Sequence, residues 1–169
     1  MRYRRSFVEG GTFFFTLVTH GRAPWFAHTP WVQALGETMR QVRHKHPFET
    51  LAIAVMPDHL HCIWRLPEGD TDYGTRWMLI KQGVTRCIRV QHPRAKVWQD
   101  RFWEHTIRND RDYAAHCNYI HYNPVKHGLV ALAGDWPHSS FERFVAEDIY
   151  DLKWGISAMP RMPTSSPGE

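Results

Sequence analysis

Apolar runs and helical repeats alternate along the first two thirds of the chain. Residues 12–19 are rich in β-branched and aromatic side chains and have the length of a buried strand. Thr29 and Pro30 then resemble an N-cap followed by proline at the first helical position. Apolar residues recur at helical spacing from Val32 to Val42. This stretch therefore predicts a strand followed by a helix.

The middle of the chain predicts two strands and a second helix. The continuous apolar run 51–56 is typical of a central strand, and Pro57-Asp58 separates it from the next strand, 59–66. We interpret the two strands as antiparallel neighbours. After a loop, one helical stripe predicts the second helix, whose opposite face is basic. The stripe consists of Trp77, Ile80, Val84 and Cys87, and the basic face includes Lys81, Arg86 and Arg89.

The last predicted elements are a strand over residues 102–107 and a helix that begins at Asn109 or Asp110. Tyr113, Cys117 and Ile120 would form the buried face of this helix. The order βαββαβ plus a helix indicates the α+β class. We predict a ferredoxin-like antiparallel sheet with helices on one side, followed by a C-terminal helix.

Length and composition limit the remaining possibilities. With 169 residues the chain can build one hydrophobic core, and we predict one domain over residues 1–150. Residues 151–169 would form a tail whose end, rich in Pro, Ser and Gly, is disordered. Three scattered cysteines without a CxxC motif predict a reduced, cytoplasmic protein, and no apolar run is long enough for membrane insertion. The net charge of +4 favours a polyanionic partner.

Two histidines offer the first candidate chemistry. His59 and His61 flank Leu60 on a predicted strand, so both side chains project from one face, with Cα atoms about 7 Å apart. Imidazoles at this spacing can converge on one metal ion. The same pair is also common on half-exposed strands, so the spacing leaves both interpretations open.

The last predicted helix offers a third ligand and a nucleophile. His116, Tyr119 and Asn123 fall within about 60° of one another on this helix. A nearby divalent cation would polarise a phosphate and favour the phenolate of a tyrosine, whose usual pKa is about 10. Packing at the domain edge is the alternative role for Tyr119. Pro124 also disfavours helical backbone angles at Asn123, which predicts that Asn123 lies off the stripe.

Four segments together resemble the REP-associated tyrosine transposases, relatives of the single-tyrosine HUH transposases. They are YRRSFVEGGTFFFTLVT, VMPDHLHCIWRLPEGD, WQDRFWEHTIRNDRDYAAHCNYIHYNPVKHGLV and DWPHSSF, which span about residues 3–144 in the same order. The resemblance implies that His59 and His61 bind a divalent ion. It also implies that Tyr119 is the nucleophile and that Asn123 completes the metal site. Without it, Tyr122 would be nearly as good a candidate nucleophile, although it lies on the other flank of the buried stripe.

The resemblance further implies a reaction and a substrate. Tyr119 would attack single-stranded DNA at a palindromic, REP-like hairpin and form a 5′-phosphotyrosine, and the released 3′-OH could later reverse the step and rejoin strands. The ion would be Mg²⁺ or Mn²⁺. The protein would act as a monomer. Its N-terminal arm would read a short unpaired tetranucleotide at the foot of the hairpin.

Cationic and aromatic side chains mark a candidate DNA surface, because single strands bind grooves where the two are interleaved. We predict DNA contacts from Tyr3, Arg4, Arg5, Arg101, Trp103, His105, Arg108 and Lys126. A solvated terminus explains Arg4 and Arg5 equally well. The basic face of the second helix is typical of a solvated surface, but it could also hold hairpin phosphates.

Two other functions remain for such a fold. A regulatory module could bind hairpins without cutting them, although a binding protein has no need for a phenol beside a metal. An RNA-binding ferredoxin-like domain would stack bases on sheet aromatics, but the chain lacks the glycine-aromatic signature of that class.

Overall fold

The computed structural model describes residues 10–164, which contain four strands and four α-helices. The strands are β1 (Thr12–Val18), β2 (Glu49–Val55), β3 (His59–Arg65) and β4 (Trp103–Thr106). The helices are α1 (Thr29–Lys45), α2 (Tyr73–Arg89), α3 (Asp110–Lys126) and α4 (Phe141–Ala146). Up to α3 the order of strands and α-helices is the predicted βαββαβ plus helix.

The four strands form one antiparallel sheet in the order β2-β3-β1-β4. This order confirms the ferredoxin-like arrangement. β1 and β3 are central, and their register places Thr16 opposite His61 and Val18 opposite His59. The two histidines therefore lie at the end of the sheet where β1 finishes and β3 begins.

One face of the sheet packs against α1 and α2, as predicted. Side chains alternate along β1 and β3, so Phe15 and Trp64 point to this face and are fully buried. Trp64 stacks on Trp77 of α2 with ring centroids 4.0 Å apart. The Phe48 ring also lies 4.0 Å from the Trp64 ring, measured between centroids. This aromatic cluster holds the helical layer on the sheet.

The other face packs against α3. Phe14 of β1 and Ile63 of β3 meet Cys117 and Ile120 of α3, and all four are at most 2% exposed. Residues of α4 close this second core. The sheet therefore lies between the α1 and α2 pair and the helix that was predicted to carry the nucleophile.

Some details of the helices differ from the predictions. The buried stripe of α2 ends on Ile88, whereas Cys87 is exposed, so the prediction that Cys87 is buried was wrong. Ile88 follows Val84 by four residues and therefore stays on the core side of the helix. Tyr113 is only half-buried in α3. Asn109 caps α3 as predicted, its side chain accepting a hydrogen bond from the Asp112 backbone.

His121 of α3 fastens the segment that follows the sheet. Its Nε2 lies 2.8 Å from the Ser140 hydroxyl and its Nδ1 lies 3.3 Å from the Tyr150 hydroxyl. Burial, with the nearby positive charge of Arg143, lowers the pKa of His121 to about 3. His121 is therefore a neutral, structural histidine.

The chain beyond α4 also packs along α3. Asn118 donates a hydrogen bond of 3.0 Å to the Arg161 carbonyl, and Trp154 stacks on Tyr150 with centroids 4.2 Å apart. Residues 165–169, the end of the tail that was predicted to be disordered, lie outside the described residues. Within residues 10–164, no helix has the length and apolar character needed to cross a membrane.

Helices α1 and α2 are in close contact where Gly83 faces Thr38. A Cβ atom at Gly83 would lie 2.5 Å from the Cγ2 methyl of Thr38. At Gly36 on α1 the nearest atom to such a Cβ is the flexible end of Arg40, at 3.6 Å. The two helical glycines therefore form a matched pair, one crowded and one open.

Gly83→Ala is expected to lower the free energy of unfolding by about 1–3 kcal/mol, because the helices must separate to admit the methyl group. Adding Thr38→Ala should recover part of this loss, since it removes the clashing methyl. Chemical denaturation measures both effects. Gly36→Ala is the control and should be neutral or stabilising by up to about 1 kcal/mol. Equal losses for Gly83→Ala and Gly36→Ala would contradict the close helix contact.

Candidate active site

Strand β3 presents its two histidines to the face covered by α3. His59 and His61 are 1% and 0% exposed, and their ring centroids lie 5.0 Å apart at an interplanar angle of 76°. The shared face follows from the two-residue period of a strand, as predicted. Burial excludes the alternative in which these are ordinary surface histidines.

Each of these imidazoles is held through its Nδ1 atom. The Asp58 carboxylate lies 2.6 Å from Nδ1 of His59, and the Thr16 hydroxyl lies 2.8 Å from Nδ1 of His61. A carboxylate at Nδ1 places the proton of a neutral His59 on that atom and the lone pair on Nε2. Nε2 of His59 is therefore the atom that could act as a metal ligand.

Asp58 is itself held in place by Arg22, whose guanidinium donates to the second carboxylate oxygen at 3.1 Å. Partial burial disfavours the charged carboxylate, but the hydrogen bonds from His59 and Arg22 outweigh it and hold the pKa of Asp58 below its usual value. Asp58 is therefore ionised at neutral pH and can orient His59.

Helix α3 places Tyr119 and Asn123 one turn apart against these histidines. The amide oxygen of Asn123 lies 3.1 Å from Nε2 of His59, and the Tyr119 ring meets the His61 ring with centroids 5.1 Å apart. The helix continues through Pro124, so the predicted displacement of Asn123 was wrong. Packing of Asn123 against β3 outweighs the local preference of a residue before proline.

The donor atoms fit a divalent ion. In an octahedral site with metal-ligand distances of about 2.1 Å, adjacent ligand atoms lie about 3 Å apart. Nε2 of His59 and the amide oxygen of Asn123 have this spacing, at 3.1 Å. The ring of His61, steeply inclined to that of His59, lies on the same side. Imidazole nitrogens and an amide oxygen are both ligand types that divalent metal ions bind.

The end of α3 adds positive charge next to the tyrosine. Lys126 donates a hydrogen bond of 3.3 Å to the Tyr119 hydroxyl, and its ammonium lies 5.0 Å from the Tyr119 ring centroid. An ammonium at this position stabilises negative charge on the phenolic oxygen. The His127 ring contacts His59, with centroids 5.0 Å apart.

The structure separates the two candidate tyrosines. Tyr119 is 5% exposed and contacts His61, whereas Tyr122 lies on another side of α3 and contacts Trp154 of the C-terminal segment. Of the two, Tyr119 is the phenol placed at the histidine pair.

A second group of polar side chains lies between β4 and α3. His105, Asp112 and His116 each bring a ligand atom within 4.8 Å of the others, so this group could also hold a metal ion. Partial burial disfavours charge on Asp112, but hydrogen bonds from His105 and Arg108 outweigh it and lower its pKa to about 2. The Asp112 carboxylate therefore already has hydrogen-bond donors, His105 and Arg108.

Ring orientation distinguishes the two groups. The rings of His105 and His116 stack at 4.6 Å and only 17° from parallel. Nitrogen lone pairs lie in the plane of each ring, so stacked rings do not point at one ion unless one of them rotates. The rings of His59 and His61 are steeply inclined to each other, so this restriction does not apply to them.

The predicted DNA-binding residues fall in several places. Arg101 and Arg108 are exposed, and Trp103 is half-buried and stacks on His105 with centroids 6.0 Å apart. Nε2 of His105 is bonded to Asp112 at 2.8 Å. Tyr3, Arg4 and Arg5 lie outside the described residues.

Sequence reasoning missed the residues that orient the histidines. Asp58 had a local signal, since it directly precedes His59. Thr16 and Arg22 had no such signal. Each is far along the chain from its partner, His61 or Asp58, and only the fold brings the partners together. The Asp112 and His116 pair could have been noticed from its spacing of four residues on a helix.

Comparisons with known proteins show the family of this chain. Residues 8–123 match the family described as Transposase IS200 like. A REP-associated tyrosine transposase of Escherichia coli (strain K12) is 45% identical over 152 residues, covering 90% of this chain and 89% of the relative. A relative from Haemophilus influenzae is 42% identical over 163 residues, covering 90% and 92% of the two chains.

A solved structure is also similar over the whole chain. It is described as a REP-associated tyrosine transposase bound to a REP hairpin, and it matches with a TM-score of 0.88 and 42% identity. The match covers 100% of this chain and 97% of the other. The chain therefore belongs to the IS200-like transposase family and, within it, to the REP-associated tyrosine transposases.

Proposed function

We propose that this protein is a metal-dependent endonuclease and strand transferase that acts on single-stranded DNA at palindromic, REP-like hairpins. The observation that carries the proposal is the contact of Tyr119 with His61, beside a His59 that faces Asn123 at 3.1 Å. The similar structure bound to a REP hairpin supports the choice of substrate.

His59, His61 and Asn123 would hold a Mg²⁺ or Mn²⁺ ion. When bound, the ion would polarise the scissile phosphate and stabilise the charge that develops on its oxygens. Asp58 and Thr16 fix the two imidazoles before the ion arrives. Little reorientation is then needed on binding, which favours affinity.

Tyr119 would supply the nucleophile. Its phenolic oxygen forms a bond to phosphorus while the bond from phosphorus to the 3′ oxygen breaks. The phenolic proton passes to solvent, and the released 3′ oxygen takes up a proton from solvent. The products are a 5′-phosphotyrosine and a free 3′-OH. Attack of a 3′-OH on the phosphotyrosine reverses the step and rejoins DNA, because the phosphodiester energy is conserved. Lys126 orients the phenol and stabilises its charged form.

Other side chains would guide the strand. Arg101, Arg108 and Trp103 lie on or beside β4 and the start of α3, where a cationic and aromatic surface suits unpaired bases. His105 would contribute through the exposed part of its ring, since its Nε2 is hydrogen-bonded to Asp112. Tyr3, Arg4 and Arg5 would read the unpaired foot of the hairpin.

Replacing Tyr119 with Phe should abolish the covalent protein-DNA adduct, because only the attacking oxygen is lost. The assay incubates labelled hairpin DNA with Mn²⁺ and resolves products on a denaturing gel. Tyr122→Phe is the matched control on the same helix and should keep the adduct. An adduct that persists in Tyr119→Phe would refute the assignment, and hairpin binding without any adduct in the unaltered protein would indicate a non-cleaving regulatory module.

Asp58→Asn should weaken metal binding by about ten- to a hundredfold, because Nδ1 of His59 loses its carboxylate partner. The Mn²⁺ concentration for half-maximal cleavage should rise by the same factor, and titration calorimetry with Mn²⁺ measures affinity directly. Glu37→Gln is the control, since it removes an exposed carboxylate that pairs with Arg40 far from the site. Unchanged Mn²⁺ dependence in Asp58→Asn would show that the carboxylate does not orient a metal ligand.

A further inference from the structure

Arg22 occupies a strained position in a tight turn that follows β1. Its backbone φ is 54°, in the left-handed region that disfavours residues with a side chain, and Gly21 before it has a φ of 60°. Glycine adopts this conformation readily, but arginine does not. Backbone strain of this kind is concentrated at functional sites. The turn therefore points to a role for the Arg22 side chain.

Thr19 fastens this turn to the segment that precedes β3. Its backbone N–H donates to the Asp58 carbonyl at 2.9 Å. Its hydroxyl lies 2.9 Å from the same carbonyl and 2.8 Å from the Ala23 carbonyl, so it bridges the two segments. The backbone N–H of Arg22 closes the turn on the Thr19 carbonyl at 3.1 Å. Thr19 is fully buried, so the turn is held at a fixed position beside Asp58.

The Arg22 guanidinium has donors to spare. One of its nitrogens, Nη1, donates to the Asp58 carboxylate at 3.1 Å, and 44% of the side chain stays exposed. Arginine has five N–H donors in a planar fork, which matches two oxygens of a phosphate. An ion pair this exposed contributes little to stability, so the contact with Asp58 does not by itself account for the strained turn.

Arg22 lies on the Nδ1 side of His59. One oxygen of the Asp58 carboxylate lies 2.6 Å from Nδ1 of His59, and the other accepts the hydrogen bond from Arg22. Along this path the guanidinium is at most about 10 Å from Nε2 of His59, or roughly three nucleotides of a stacked strand, whose rise is about 3.4 Å. A strand whose scissile phosphate lies at the histidines therefore has a neighbouring phosphate within reach of Arg22.

We propose that Arg22 binds a backbone phosphate of the unpaired DNA strand, within about two nucleotides of the phosphate that Tyr119 attacks. The guanidinium spans Asp58 and this phosphate, so it holds the strand against the same carboxylate that orients His59. A phosphate contact positions the strand and carries no base readout. The placement of this phosphate relative to the cleaved bond rests on the proposed function.

The alternative role for Arg22 is to hold Asp58 and nothing else. Loss of Arg22 would then weaken metal binding, and it would affect every DNA strand equally. A direct phosphate contact instead makes the effect of losing Arg22 depend on the charge of one particular phosphate. This dependence distinguishes the two roles.

The test combines Arg22→Gln with a set of DNA hairpins. In each hairpin a different phosphate of the unpaired strand is replaced by a methylphosphonate, which is neutral. Fluorescence anisotropy with Mn²⁺ measures affinity in a Tyr119→Phe background, where no adduct forms to disturb the equilibrium. Arg65→Gln is the control, because Arg65 is also an exposed arginine paired with a carboxylate, 3.2 Å from Glu49, but it lies at the other end of β3.

With unmodified DNA, Arg22→Gln should weaken binding about five- to tenfold and lower the salt slope by about 1, as expected for one lost phosphate contact. With a methylphosphonate at one position near the scissile phosphate, the same substitution should change affinity by less than about twofold, since the contact is already gone. At other positions the full loss should remain. Arg22→Lys should recover part of the affinity because it restores the charge.

Three results would each overturn the proposal: an equal loss for every hairpin, an unchanged salt slope, or an equal effect of Arg65→Gln. Circular dichroism checks that each variant folds. If Arg22→Gln does not fold, Arg22→Gly takes its place, because glycine adopts the left-handed turn without strain.

The protein with Tyr119 intact separates this proposal from the proposed cleavage. Its Mn²⁺-dependent adduct locates the scissile phosphate, and absence of an adduct with every hairpin would refute cleavage. The methylphosphonate series would still show whether one phosphate depends on Arg22, and if none does, the contact is refuted whatever the result for cleavage. A dependent phosphate more than about two nucleotides from the scissile one would contradict the proposed placement.

Discussion

The pairing register of β1 and β3 is the constraint on which the site depends. It places Thr16 opposite His61 and Val18 opposite His59, so the hydrogen bond that orients His61 is a cross-strand contact. A slip of one residue would turn both histidines into the core under α1 and α2 and bring Leu60 to the α3 face. The same register that buries Phe15 and Trp64 on one side therefore builds a polar site on the other.

Helix α3 depends on that arrangement and completes it. Cys117 and Ile120 bury one side of the helix on the sheet, and this packing carries Tyr119 and Asn123 to the histidines. The helix keeps its form through Pro124, where local preference alone would end it. Not every histidine of α3 has a chemical role: His121 serves to fasten the segment after the sheet.

Local sequence patterns predicted much of the fold and of the site. They failed where contacts between residues distant in sequence determine the structure. The first strand was predicted over 12–19 and is Thr12–Val18, and the shared face of His59 and His61 followed from strand periodicity. The prediction for α2 was wrong at Cys87, because positions three and four residues after Val84 both suit a helical stripe and the packing buries Ile88. Thr16 and Arg22 contact residues 45 and 36 positions away, and no local signal predicts such partners.

Two histidine groups on one face make metal placement the central claim, and anomalous diffraction from crystals grown with Mn²⁺ tests it most directly. The account predicts an anomalous peak about 2.1–2.3 Å from Nε2 of His59 and the amide oxygen of Asn123, with His61 as a further ligand. A peak among His105, Asp112 and His116, with none at His59, would contradict it.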